Sequence, residues 1–335
     1  MDINFFVWKQ LSPEERQRLL KRSGEDIEQV IPAVREVIEE VHRNGDAALR
    51  SLTQRFEGAD ISELPIAASE EEFAQAERRL SPELRDALAF AVENVKAFHR
   101  KQTGDQLSLN EIRPGVLAGE RVTPIDSVGL YVPRGRGSFP SMLYMQAVPA
   151  AMAGVGEIGV ATPPDEHGAL DPACLYAASL CGVSKVYRVG GAQALAAFAY
   201  GTESVTAVHK LMGPGSVYVA AAKQLLSTEV DVGMPAGPSE SMILADGGAD
   251  PWRVSLDLMI EAEHGSDSAA LLVTDDAQLG RAVQREVAAL TAEAPEPRKQ
   301  FLKDVFEGYG GVILAETMQE AAEIVNAFAP EHLQI

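Results

Sequence analysis

Cysteine is nearly absent: Cys174 and Cys181 are the only two in 335 residues, and their spacing of seven makes neither a disulfide framework nor a C-x-x-C pair. Both fall in one expected helix ending at Gly182, so reduced thiols and a cytoplasmic location are expected. Positive charge is scarce as well. Against 49 Asp and Glu stand 29 Lys and Arg, a formal charge of -20 that repels nucleic-acid phosphates and anionic membrane surfaces. No nucleic-acid or membrane partner is therefore expected. Long apolar runs are also missing, since the longest uncharged stretch, residues 137–156, is interrupted by Ser, Gln, Pro and Gly. The opening M-D-I-N-F-F-V-W-K-Q has no basic segment ahead of an apolar core, so neither a membrane span nor a signal peptide is read. Low-complexity tracts and short-period repeats are lacking too. What remains is 46% hydrophobic and 23% charged, the composition of a globular protein, at a length that suggests about two domains.

Residues 12–102 read as helical. S-P-E-E at Ser12 to Glu15 and S-P-E-L at Ser81 to Leu84 each place Ser at an N-cap, Pro at the first helical position and acid in the first turn. Short β-rich pieces follow between Glu111 and Pro133, and S-V-G-L-Y-V-P at residues 127–133 has the length of a buried strand. Further strands are expected near Ile158–Thr162, Lys185–Val189, Lys210–Met212, Ser241–Ala245, Ala270–Thr274 and Gly311–Ala315, with helices between them. That alternation argues an α/β fold with parallel sheets. The Pro- and Gly-rich M-P-A-G-P-S at residues 234–239 is the expected boundary between two groups of strand-helix units.

One literal G-x-G-x-x-G occurs, at Gly154 to Gly159, but it follows a helix and precedes a strand, the reverse of what phosphate binding needs. Gly154 is expected to be a helix C-cap instead. The better-placed turns are G-G-A-Q at Gly190 to Gln193 and G-P-G-S at Gly213 to Ser216, each between an expected strand and an expected helix. Their backbone N–H groups suit a phosphate, although a tight strand-helix turn needs glycine for geometry alone. In E-A-E-H-G, Glu261 and His264 share a helix face and can offer oxygen and nitrogen to one cation, against the plainer reading of a solvated helix end. His42, His99, His167 and His209 have no partner at metal or catalytic spacing and read as surface or packing residues. The chain closes on A-P-E-H-L-Q-I, where the adjacent Glu331 and His332 precede what reads as an interrupted strand.

In order, V-G-L-Y-V-P, G-G-A-Q-A, A-Y-G-T-E-S-V, G-P-G-S-V-Y-V-A-A-A-K, M-P-A-G-P-S-E, A-E-H-G and A-P-E-H-L resemble the histidinol dehydrogenase family in wording and spacing across nearly the whole chain. The resemblance implies two incomplete Rossmann-like parallel-sheet domains behind a helical N-terminal arm. Residues 1–126 with 239–335 would form the first, carrying catalytic and metal residues, and 127–238 an inserted NAD-binding second. It further implies a zinc-dependent homodimer that takes L-histidinol through histidinal to L-histidine with two NAD+. By match to the motifs, His332 is the general base for the alcohol and Glu331 activates water for the second oxidation. Tyr131, Gln193 and Ser216 correspond to NAD-contacting positions, Ser239, Glu261, His264 and His332 to substrate-contacting ones, and Glu261 and His264 to zinc ligands.

The sequence departs from the family pattern at several points. Glu261 stands where the family has a Gln ligand, Ser216 where it has Asn, and Pro133-Arg134-Gly135-Arg136 where it has P-G-G-T. A carboxylate at the metal changes its charge by one unit, and two arginines near the cofactor turn suit an anionic group unless both are solvated. A paralogue that oxidises another polar alcohol, such as a sulfonated propanediol, stays open, as does a catalytically inactive nucleotide-binding or dimerisation module. Family chains also continue past A-P-E-H-L-Q-I with further zinc and substrate ligands, which implies a shortened chain of impaired activity.

Overall fold

The computed structural model describes residues 3–20, 27–102, 104, 107–134, 137–233 and 239–335. The chain begins with a short strand, β1 (Phe5–Val7), a 3-10 turn over Trp8–Gln10 and helix α1 (Pro13–Leu20). Ser12 caps α1 as its sequence predicts: its Oγ accepts the Glu15 N–H at 3.2 Å while its own N–H donates to Glu15 Oε2 at 2.8 Å. These elements belong to a compact unit that the chain re-enters at residue 239.

The described residues between form a second unit. It contains α2 (Ile27–Glu57), α3 (Glu70–Arg79), α4 (Pro82–His99), the antiparallel pair β2 (Leu107–Arg113) and β3 (Val116–Arg121), then β4 (Ser127–Tyr131), α5 (Pro140–Met152), β5 (Glu157–Ala161), α6 (Pro172–Leu180), β6 (Lys185–Tyr187), α7 (Gly191–Tyr200), β7 (Lys210–Met212) and α8 (Val217–Leu226). A parallel sheet runs β6-β5-β4-β7. All five residues of β4 are buried, which is why the strand reads as a continuous apolar run rather than an alternation. Gly129 and Gly159 are paired across β4 and β5, and a Cβ on either would press into the Phe198 ring of α7. Gly154 follows α5 at φ +83°, the helix end expected of it.

The sequence reading placed residues 1–126 with the 239–335 segment; packing assigns α2, α3 and α4 to the second unit instead. The apolar stripe of α2, with Val34, Val37, Ile38, Val41, Leu49 and Leu52, is buried in one cluster with Leu195 of α7 and Val219 and Leu226 of α8. At the other face Arg188, 1% exposed, spans to α3: Nη2 meets both Glu72 oxygens at 2.7 Å, Nε donates to Pro65 O and Nη1 to Gly168 O. The expected boundary at residues 234–238 lies outside the described residues.

Back in the first unit come β8 (Glu240–Leu244), α9 (Pro251–Ala262), β9 (Ala269–Thr274), α10 (Ala277–Glu293), α11 (Arg298–Glu307), β10 (Gly311–Leu314), α12 (Met318–Phe328) and β11 (His332–Gln334). Their parallel sheet runs β1-β10-β9-β8-β11. The two faces alternate residue by residue: Ala270, Leu272, Ile243 and Val312 pack with α9, α10 and α11, while Leu271, Val273, Met242 and Ile313 pack with α12, Trp8 and Leu19. The strand expected after Glu331 is β11, paired with β8 from His332 opposite Ser241. Strand β1 is not among the strands expected from sequence; it forms by pairing with β10 at the far end of the chain. Among the described residues no helix is long and apolar enough to cross a membrane.

Candidate functional site

Two groups of residues, one in each unit, carry the chemistry. In the second unit the strand order puts β5 and β6 on one side of β4 and β7 on the other, so the sheet's switch point lies between β4 and β7. Ligands of parallel α/β sheets bind outside the carboxyl ends of strands at such a point. Tyr131 ends β4, Gly190-Gly191 follows β6 and Gly213 follows β7, so the turns singled out from sequence are at these strand ends. The Tyr131 hydroxyl accepts the Gly191 N–H at 3.1 Å, and burial pushes the phenol up to about 12. Among the described residues no side chain caps α7, and Gln193, 1% exposed, folds over Gly191 with its Nε2 finding no acceptor. At Gly213 (φ +114°) a Cβ would strike the Tyr131 carbonyl. Ser216 is the N-cap residue of α8, yet its side chain makes no cap hydrogen bond.

Two further residues join this group without having been picked out. Lys223, 4% exposed, donates through Nζ to Gly213 O at 2.5 Å, and desolvation lowers its pKa. Gln146 Nε2 donates to Tyr131 O and Met142 O, while its buried Oε1 has no partner among the described residues. A signal existed for Lys223, because it shares a helix face with the buried Val219, Ala222 and Leu226, where a charge is out of place. Orphaned amide atoms beside two helix starts without side-chain caps fit a dinucleotide, whose phosphates and hydroxyls supply both acceptors and donors.

In the first unit the residues gather at the amino ends of β8 and β11 and the carboxyl end of α9. Ser239 Oγ is 3.1 Å from His264 Nδ1, which is 3.5 Å from Glu261 Oε2. Glu261 is 8% exposed, so the plainer reading of a solvated helix end does not hold. Its carboxyl is held below the usual range first by the neighbouring His264 imidazole, against the opposing effect of burial, with smaller help from His332 and Ser239. The His264 imidazole is raised in turn, first by the Glu261 carboxylate. The negative pole of α9 adds to the preference for a cation there. Glu331 and His332 are more than half exposed and 3.9 Å apart, too far for a hydrogen bond, so they are two separate groups.

The fit to zinc is partial. Among the described residues no three His, Cys, Asp or Glu are grouped to hold a metal, and Glu261 with His264 supply half of a four-coordinate site. Arg134 is engaged within its own unit: its Nη1 donates to Ala169 O at 2.9 Å and Nη2 is 3.8 Å from Asp165 Oδ2. Arg136 lies outside the described residues. Of the other histidines, His209 Nδ1 bonds Ser127 Oγ at 2.9 Å and His42 stacks on Tyr200, both packing roles.

Two parallel α/β units, one with a switch-point turn cluster and one with a Ser-His-Glu group at a helix end, define the Rossmann-like α/β class. The chain belongs to the histidinol dehydrogenase family, whose family profile matches residues 20–335. The histidinol dehydrogenase of a Synechocystis strain is 49% identical over 325 residues, which are 97% of this chain and 75% of that protein. A histidinol dehydrogenase homolog of Rhizobium meliloti is 45% identical over 99% of this chain and 73% of its own. The crystal structure of histidinol dehydrogenase from Elizabethkingia anophelis superposes with a TM-score of 0.89 at 32% identity, covering 99% of this chain and 75% of that one.

Proposed function

We propose that the chain is a histidinol dehydrogenase that oxidises L-histidinol through histidinal to L-histidine in histidine biosynthesis, with NAD+ as hydride acceptor. The carrying observation is the convergence of Ser239, Glu261, His264 and the charge of His332 in a chain matched by the family over residues 20–335. NAD+ would supply the hydride acceptor for both oxidations. Tyr131, Gln193 and Ser216 are its contacts, with the orphaned Gln193 Nε2 as the clearest vacancy for an acceptor.

His332 takes the hydroxyl proton as the first hydride leaves. Glu331 then takes a proton from the water that adds to the aldehyde carbonyl, whose oxygen is protonated in turn by His332; loss of the second hydride from the resulting hydrate, with one hydroxyl proton returned to His332 and the other released to water, would give the carboxylate. An imidazole and a carboxylate titrate in different ranges, so one stays basic while the other cycles. Ser239 and Glu261 with His264 orient the amino alcohol. The family's zinc would bind at Glu261 and His264, which by themselves do not complete a site. Buried, unpaired Cys174 and Cys181, whose thiols burial pushes up to about 12 and about 11, suit a reducing cytoplasm.

The test is turnover of L-histidinol with NAD+, scoring two NADH per histidine formed. Glu331→Gln should slow the second oxidation and release aldehyde, while His332→Ala should slow the first. Equal loss of both steps in both variants would refute the division of labour. A second reading, oxidation of a different polar alcohol, rests on the carboxylate at Glu261; Glu261→Gln raising turnover of histidinol above the parent would favour it.

A further inference from the structure

Glu57 is the last residue of α2, and its carboxylate reaches the turn between β6 and α7. A Cβ on Gly190 would collide with Glu57 Oε1 on one side and with Pro163 on the other, so the turn closes around this carboxylate. It is half-buried, and among the described residues it has no hydrogen bond or ion pair. Burial raises its pKa. Its charge also opposes ionisation of Tyr131, whose hydroxyl is bonded to Gly191 in the same turn. A carboxylate partly withdrawn from water and without a protein donor is free to accept from a ligand's hydroxyl.

The second observation is Gln193, fully buried over Gly191 with Nε2 lacking an acceptor. One turn thus presents an unsatisfied anionic acceptor and an unsatisfied amide donor. A phosphate would satisfy the amide but be repelled by the carboxylate. A sugar hydroxyl satisfies both, since it donates to one and accepts from the other. In other dinucleotide sites the acid that reads a ribose follows the glycine turn in sequence; here it would arrive from a helix 133 residues earlier (Gly190 less Glu57).

We propose that Glu57 is a specificity residue of the cofactor site, accepting hydrogen bonds from a ribose hydroxyl and excluding a ribose that carries a 2′-phosphate. This rests on the dinucleotide reading of the turns. The rival account makes Glu57 a negative charge that merely complements the start of α7. The two differ in sign. Glu57→Gln removes a charge that is costly to bury, so the ligand role leaves the unliganded melting temperature unchanged or higher, whereas the helix role lowers it.

Titration calorimetry of the parent, Glu57→Gln and Glu57→Ala with NAD+ and with NADP+, alongside thermal melts, decides the matter. The expected result is NAD+ binding about tenfold weaker in both variants, with the preference for NAD+ over NADP+ narrowed by a similar factor and no fall in melting temperature. NAD+ affinity and cofactor preference unchanged in both variants, with or without a lower melting temperature, would overturn the assignment while leaving the cofactor reading intact. A parent that binds neither dinucleotide at millimolar concentration would overturn both.

Discussion

Arg188 shows at the scale of one residue how the second unit resists being read from sequence. Its guanidinium is 1% exposed and bonded to Glu72, Pro65 O and Gly168 O, residues 116, 123 and 20 positions away. Glu72 is also the acid of the α3 capping box with Ser69, so one carboxylate serves a helix start and a buried cation. Burial alone would push the Glu72 carboxyl up, but the hydrogen bonds from Arg188 and Ser69 outweigh it and hold it below the usual range. A depressed carboxyl contributes stability above the unfolded value, and that contribution is lost as pH falls through the folded one. Glu72→Gln should therefore cost about 2 kcal/mol at neutral pH, discounted for the partly exposed acid, and the cost should shrink on acidification below the usual carboxylate range. Urea unfolding of parent and variant from pH 7 to pH 3 measures it; a difference that does not change with pH would count against the pairing. Gln193, Glu261 and His264 were legible because they sit in a glycine turn or at a helix end, whereas Tyr131, the last residue of a buried strand, stood out only through the family motif. Glu57, Gln146 and Lys223 were missed because each reaches its partners through tertiary packing, and only Lys223, set in an apolar stripe, left a local trace.

Elements were more legible than residues wherever the local signal was long. Strands β4 to β10 each fall within a few residues of their expected positions, since short apolar runs bounded by Gly and Pro are what a parallel sheet requires. The long helical pattern from residue 27 concealed a break at Gly45, whose φ of +52° interrupts α2. The reason is tertiary: the Asp46 carboxylate accepts from the Thr202 and Ser204 hydroxyls and the Ser204 N–H, drawing the A-Y-G-T-E-S-V loop onto the helix. The end of α9 shows the converse, a local spacing whose meaning depends on what else arrives. Glu261 and His264 share one face, with Ser239 on the imidazole, and no third His, Cys, Asp or Glu completes a metal group among the described residues. This 335-residue chain should thus hold zinc weakly, because each protein ligand not supplied is replaced by exchangeable water. Dialysis against metal-free buffer followed by metal analysis is the measurement, and stoichiometric zinc surviving it would refute the expectation.

The whole molecule poses a question at the β2–β3 ribbon. Every residue of both strands is exposed, and an isolated two-stranded hairpin is marginal in water. The register places Leu109 opposite Gly119 and Leu117 opposite Glu111, so Leu107, Leu109 and Leu117 share one face that is more than half exposed. A second copy of the chain, as the homodimer reading proposes, would give that face apolar cover that the described residues of one copy do not supply. Two copies at a formal charge of -20 each repel one another. The Debye length falls from about 30 Å at 0.01 M salt to about 8 Å at 0.15 M, so association should tighten as salt is added, the reverse of an attraction between opposite charges. Sedimentation velocity should accordingly find a dimer whose dissociation constant falls across that range, and Leu109→Glu with Leu117→Glu should yield a folded monomer. If the double variant sediments as the parent does at every salt concentration, the ribbon is not the interface and the dimer must be sought on another surface.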